Sequence, residues 1–204
     1  TTKFKQPNKY YELVLAHHDY AEKANNTASA SVSFDFGDDI VPTQYIENNP
    51  YIFYEKVEDA DFNLYQNLIN LPRISPNPLI SPISDIGFAN YTYKLASVFV
   101  EEGEKIYKIE VTPRNSESPT FSGHLFIIDG SWIIKSFDLN INPAVMPFFS
   151  DFNIIQDYEK IEGNWVVVRR EFNYSISDFQ HNISANTRVD HSNYNFKPAF
   201  DKKT

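Results

Sequence analysis

The stretch Phe121-Ser122-Gly123-His124-Leu125-Phe126-Ile127-Ile128-Asp129-Gly130-Ser131-Trp132-Ile133-Ile134 decides the fold. Two runs rich in β-branched and aromatic residues flank an Asp-Gly pair, the strongest short-range signal for a β-hairpin. The pair predicts a tight turn at Asp129-Gly130 that fixes the register and makes this half of the chain antiparallel sheet. The same stretch carries no catalytic or metal motif.

Working outward, residues 89–173 read as a strand meander. Tyr91, Tyr93, Leu95, Ser97 and Phe99 alternate with Asn90, Thr92, Lys94 and Ala96, a period of two. Glu101-Glu102-Gly103-Glu104 forms a charged turn, after which Tyr107, Ile109 and Val111 alternate with Lys108 and Glu110. The central hairpin runs from Thr120 to Leu139, and Asn142-Pro143 ends it. Phe152, Ile154 and Ile155 open a strand that continues through Tyr158. Glu162-Gly163-Asn164 turns the chain into Trp165-Val166-Val167-Val168. A last strand is expected over residues 184–189.

The first ninety residues are less patterned. Tyr10 to Leu15 has strand or helix potential, residues 21–30 read as loop, and Ser31-Val32-Ser33-Phe34-Asp35-Phe36 reads as a short strand or loop arm ending at Gly37. Asp59 is placed to cap a helical turn or two carrying Phe62, Tyr65 and Leu68 at a 3.6 period. Pro72, Pro76, Pro78 and Pro82 predict an extended segment, because proline fixes φ and removes an amide donor. The simplest organisation is one domain over 1–204: a less certain N-terminal part (1–60), a sheet core (61–192) and a linker-like tail (193–204).

Composition narrows the function. A chain of 204 residues is long enough for a core that needs no staples. Aromatic residues make up 16%, with 17 Phe and 13 Tyr, which favours strands and large buried area. A net charge of −9 disfavours nucleic acid, whose binding rests on cations that neutralise phosphates, and disfavours docking by charge on an anionic lipid surface. The absence of cysteine removes disulfides, thiolate nucleophiles and Cys-based zinc sites. Thr1-Thr2-Lys3-Phe4 lacks the apolar core of a leader, so the expectation is a cytosolic protein or a trimmed piece. No run reaches the 18 or so apolar residues of a membrane-spanning helix.

Candidate chemistry is sparse. His17-His18-Asp19 is the densest run of metal-ligand types, but adjacent side chains on a strand point to opposite faces, so a solvated loop explains it better. Asp38-Asp39, Asp59 with Asp61, and Glu101-Glu102 fall in predicted turns, not in a cleft that would separate two carboxyl pKa values. There is no G-x-S-x-G, P-loop or G-x-G-x-x-G pattern. Arg169, Arg170, Arg188 and Lys197 read as outward positions that blunt a sheet edge. The reading is a non-enzyme with no cofactor and no metal. A glycan or peptide hydrolase would need two carboxylates, or a His and a carboxylate, converging in a cleft, and no motif supplies them.

The aromatic excess has two readings. One is core packing of a twisted sheet against a helix or second layer. The other is a curved sheet enclosing an apolar ligand. The candidate apolar face comprises Tyr91, Tyr93, Leu95, Tyr107, Ile109, Val111, Leu125, Trp132, Ile154 and Trp165.

Several blocks in order resemble a known family. They are Asp61-Phe62-Asn63-Leu64-Tyr65-Gln66-Asn67-Leu68-Ile69, Pro78-Leu79-Ile80-Ser81-Pro82, Tyr91-Thr92-Tyr93-Lys94-Leu95, Lys108-Ile109-Glu110-Val111-Thr112-Pro113, Phe121-Ser122-Gly123 with Trp132, and Ile155-Gln156-Asp157-Tyr158 before Trp165. Over residues 61–203 the chain resembles large Gram-negative outer-membrane proteins that combine a carboxypeptidase-regulatory-like domain with a domain of unknown function. The segment from Asn193-Tyr194 to Lys203 resembles the stretch that precedes their membrane barrel. The first sixty residues depart from the pattern, as does Asn115-Ser116-Glu117, which stands where a more basic stretch is expected.

The resemblance implies a mainly β fold with minor α: a curved antiparallel meander, a LolA-like half-barrel packed on one or two short helices. It implies a periplasmic place beside the outer membrane. It supplies no catalytic residues. The implied partners are a lipid or other apolar small molecule, or a protein at the outer membrane, and the alternative role is a spacer between a periplasmic domain and a barrel.

Overall fold

The computed structural model describes residues 29–35, 40–42, 62–177, 182–192, 194 and 196. Seven long strands form the meander: β5 (Tyr91–Glu101), β6 (Glu104–Pro113), β7 (Phe121–Ile128), β8 (Ile134–Ile141), β9 (Phe149–Ile161), β10 (Asn164–Ser177) and β11 (Asn182–Asp190). Each pairs antiparallel with the next in sequence. Two earlier strands extend the sheet beyond β11: β1 (Ser29–Asp35) pairs with β11, and β2 (Ile40–Pro42) pairs with β1. The order is β2-β1-β11-β10-β9-β8-β7-β6-β5, so the sheet is open, with β5 at one end and β2 at the other. A two-strand hairpin of β3 (Leu68–Ile69) and β4 (Leu79–Ile80) stands apart from it. Helix is minimal among the described residues: a single turn, α1 (Gly87–Asn90), and a 3-10 turn at Pro143–Val145.

A meander places alternate connections at opposite ends. The tight turns β5–β6, β7–β8 and β9–β10 therefore share one end of the sheet, the turn end, and the longer connections after β6 and β8 share the other, the loop end. Side chains alternate between an inner face and an outer face. The inner face carries Phe121, Leu125, Phe137, Leu139, Phe152, Ile154 and Phe172, all buried. The outer face is polar over β8 to β11. Asn140, Asn153, Asn173 and Asn186 stand opposite one another in register. The amide of Asn153 donates to Asp138 and Asn140, that of Asn173 to Asn153, and that of Asn186 to Asn173.

Residues 62–84 cover the inner face. Phe62 meets Phe121 edge-on at 5.9 Å and Phe137 at 5.6 Å between ring centroids. Leu64, Ile69, Leu71, Ile74 and Leu79 join the same buried cluster. The helix expected at Phe62, Tyr65 and Leu68 is not what forms; Asp59 lies outside the described residues. Asn63 instead folds the chain locally, its side chain accepting from the Tyr65 amide at 3.0 Å and its carbonyl from the Gln66 amide at 3.2 Å. Leu68 and Ile69 are then free to pair with Ile80 and Leu79. Short polar side chains that bond their own backbone compete with helix in this way. The proline segment is extended only at Leu79–Ile80; Ile74 and Ser75 both donate back to the Leu71 carbonyl at 2.9 Å, closing a turn. Among the described residues this cover is irregular and turn-rich, and only the single turn α1 follows it before the sheet begins.

Two further expectations change. The central turn contains Asp129-Gly130 but spans residues 129–133, with Gly130 at φ +74° and Trp132 at φ +58°. The Ile128 amide bonds the Ile133 carbonyl and the Trp132 amide bonds the Ile128 carbonyl, so the return strand starts at Ile134. Arg170 is not an outward, edge-blunting residue. β10 lies inside the sheet, and a bulge between Val167 and Arg169 turns Arg170 to the inner face, where it is almost wholly buried. Its Nε donates to Gln156 Oε1 at 2.6 Å and a terminal nitrogen donates to the Phe62 carbonyl at 3.2 Å. Gln156 passes the chain on to the Tyr158 hydroxyl at 2.6 Å. A buried guanidinium is tolerated only with such partners, and here they tie the cover to the sheet.

Candidate functional site

The candidate apolar residues separate into two groups along the inner face. Tyr91, Val111, Leu125 and Ile154 are buried beneath residues 62–84, and Tyr93, Ile109 and Trp165 are half-buried against the same cluster. Leu95, Tyr107 and Trp132 stand at the turn end, where Leu95 is 57% and Trp132 38% exposed.

Strand β5 shows how the division arises. At its first residues two tyrosine hydroxyls lock the cover. Tyr91 donates to the Ile80 carbonyl and accepts the Phe121 amide at 3.0 Å. Tyr93 donates to the Pro82 carbonyl at 2.6 Å. Burial pushes both phenols up, Tyr93 to about 12. The backbone is guarded too, since Arg114 Nε donates to the Tyr91 carbonyl at 2.9 Å and the Phe88 ring packs on Tyr93.

Past Leu95 a bulge intervenes, with Leu95 opposite Ile109 but Ser97 opposite Lys108. The extra residue, Ala96, exchanges the faces of everything beyond it. Val98 and Val100 now share the inner face with Tyr107, while Phe99 joins Phe126 on the outer face, 6.4 Å between centroids. Val98, Phe99 and Val100 are 45%, 37% and 70% exposed. Alternation carried from Tyr91 through Phe99 places Phe99 on the inner face and misses Val98 and Val100. The run Val98-Phe99-Val100, apolar on successive positions and so on both faces, is the signal that marks them.

An aromatic rim borders this open end. Trp132 stacks on Tyr107, 6.0 Å between centroids and 13° between planes. The Tyr107 hydroxyl donates to Asp129 at 2.9 Å, and Lys105 pairs with Asp129 at 3.3 Å while lying over the Tyr107 ring. These contacts hold Trp132 in a left-handed backbone conformation that disfavours bulky residues. The hydrogen bond from Tyr107, with that from Lys105, holds the Asp129 carboxyl below its usual range. Beside it Lys135 bridges Glu101 at 2.8 Å and Glu102 at 3.3 Å.

Chemistry beyond packing is thin. Among the described residues no group of three His, Asp or Glu side chains is placed to hold a metal ion, and no helix is long and apolar enough to cross a membrane. His17-His18-Asp19, Asp38-Asp39, Asp59 and Asp61 lie outside the described residues, as do His181 and Lys197. Glu101 ends β5 and Glu102 lies in the β5–β6 turn, both bound to Lys135. Arg169 and Arg188 lie in a surface ion-pair row with Asp157, Glu171 and Asp190. The arrangement presents an apolar shelf with an aromatic rim, suited to holding something.

No curated protein matches the chain. Among solved structures, a crystal structure of a DUF1329 family protein from Desulfovibrio piger ATCC 29098 is similar over 96% of both chains, at 14% identity and a TM-score of 0.32. Residues 40–194 match the model of DUF5686, described as a family of unknown function, and the chain belongs to that family.

Proposed function

We propose that the chain is a non-catalytic module that holds an apolar ligand, an acyl chain, against the open turn end of its sheet. One observation carries this reading: the loop-end half of β5 is covered by residues 62–84, while its turn-end half, bordered by the Tyr107–Trp132 rim, offers Leu95, Val98 and Val100 to solvent. Exposed apolar side chains gathered in one place mark interaction sites more often than chance surface. The sequence blocks add a setting: the periplasm, within a multidomain outer-membrane protein carrying a carboxypeptidase-regulatory-like domain before this unit and a barrel after it. A single-domain chain fits that place, although Tyr194 and Phe196 of the tail read as a linker pack against the core and the Tyr194 hydroxyl donates to the Val167 carbonyl.

The test uses Trp132 as reporter. The chain has two tryptophans, so Trp165→Phe leaves Trp132 alone beside the shelf. Titration with a dansylated fatty acid should quench Trp132 saturably, and Val98→Lys with Val100→Lys should abolish the effect while thermal unfolding stays in place. Organic extraction and mass spectrometry of the purified chain should return an acyl species. No saturable quenching and no extracted lipid from folded protein would defeat the ligand reading. A spacer role would then stand, favoured by the closed packing of Phe62, Phe121 and Phe137 under the cover.

A further inference from the structure

An antiparallel edge exposes a row of unpaired backbone donors and acceptors. Proteins blunt such edges with charge, proline, bulges or a covering loop, because an unguarded apolar edge accepts another strand. β5 is the terminal strand of the described sheet and is guarded unevenly. Its first half has the Arg114 contact to the Tyr91 carbonyl, the Phe88 ring on Tyr93, an exposed Lys94 paired with Glu110, and then the bulge. Residues 97–100 have none of these, and Glu101 carries the only charge of the half-strand. They pair regularly with β6, contain no Pro or Lys, and expose Val98, Phe99 and Val100 on both faces.

The surroundings select the occupant. Glu101, Glu102, Glu104 and Asp129 cluster around this half-strand, against Lys105, Lys108 and Lys135; Lys105 and Lys135 are already held by three of those carboxylates, and Lys108 lies over the Phe126 ring. The local excess is negative. A second copy brings the same carboxylates and a net charge of −9 to the contact, so like charge opposes self-pairing. A cationic partner is drawn in. We propose that residues 97–101 form a docking edge for an extended, cationic segment of a partner protein, which adds to β5 as a further strand. Main-chain hydrogen bonds supply affinity, and alternate apolar side chains meet Val98 and Val100 on one face and Phe99 on the other. Lys or Arg residues flanking that apolar core meet Glu102 and Glu104.

The proposal does not rest on the acyl-ligand reading, since an acyl chain needs neither a free backbone edge nor flanking carboxylates. The experiment uses the full chain and three fluorescein-labelled peptides: Lys-Lys-Val-Thr-Val-Thr-Val-Lys-Lys, the same with Glu for Lys, and the first with alternate amides N-methylated. Anisotropy should show saturable binding of the first peptide, at least tenfold weaker binding of the other two, and a steep loss with salt. Hydrogen exchange should show new protection at the amides of 97–101 only with the first. Glu102→Gln with Glu104→Gln should weaken it several-fold and leave dansyl-fatty-acid binding unchanged. Equal binding of the N-methylated or Glu-flanked peptide, or no protection at 97–101, overturns the proposal. So does a peptide-free dimer protected at those amides, which would assign the edge to a second copy.

Discussion

The two halves of β5 are the same strand, paired to the same neighbour, yet they live in different environments. Tyr91 and Tyr93 seal a filled core, while Val98 and Val100, further along on that same face, stand in solvent. Two local causes separate them. Over β5, residues 62–84 reach only the loop-end half, where Ile80 and Pro82 offer carbonyls to the two hydroxyls. The bulge at Ala96 then resets which side chains face inward. A sheet that looks uniform in sequence is thereby divided into a part that holds the fold and a part that is free to meet something else.

The comparison is sharpest at two glycines, both with positive φ. A Cβ on Gly123, at φ +138°, would stand 2.2 Å from the Asp138 carbonyl oxygen, where backbone cannot move aside. A Cβ on Gly103, at φ +83° in the β5–β6 turn, meets nothing within 4 Å. Gly123→Ala should cost roughly 4 kcal/mol or more, or prevent folding. Gly103→Ala should cost about 1 kcal/mol, from backbone strain alone. Chemical denaturation of both variants reads the difference, and similar costs would break the division between the two ends. Next in size is Tyr91→Phe. It removes a hydroxyl that serves the Ile80 carbonyl and the Phe121 amide together, leaving buried polar groups unsatisfied, so roughly 1–3 kcal/mol should be lost.

The sheet was legible because its signals are local. Alternation at Tyr107, Ile109 and Val111, and the Gly turns at Gly103, Gly130 and Gly163, need no knowledge of distant residues. The cover was not legible for the opposite reason. Phe62, Tyr65 and Leu68 carry a helical spacing, but Phe62 packs on Phe121 and Phe137, far along the chain, and Asn63 decides the local bend. Arg170 follows the same rule: nothing near it in sequence announces that Gln156 and the Phe62 carbonyl wait inside. Period-two alternation shows the candidate face as one surface, since neither the bulge nor the extent of the cover is written in it.

Alkaline titration probes the sealed half without mutation. Tyr91 and Tyr93 hold their protons more tightly folded than unfolded, because burial penalises the phenolate. Their contribution is intact below about pH 10, the unfolded value. It should decline as pH rises from there through about 12, where Tyr93 ionises in the fold. Unfolding midpoints measured from pH 8 to 12 should fall over that window, with phenolate absorbance following, and Tyr93→Phe should flatten the decline. A decline equally steep in Tyr93→Phe would remove Tyr93 from the seal.

The smallest expected change bears most directly on whether the turn end is open. Val→Thr keeps shape and strand preference but places a hydroxyl where a methyl was. In a packed core that hydroxyl lacks a partner and costs about 1–3 kcal/mol; in water it is nearly free. With Val98 and Val100 as exposed as they are, each Val→Thr should shift stability by less than about 0.5 kcal/mol. Val111→Thr, one strand away on the same face and buried, is the matched control and should show the larger loss. If Val98→Thr or Val100→Thr cost as much as Val111→Thr, some other part of the chain would have to lie over the turn end. The shelf would then be core, and both the ligand and the docking strand would lose their place.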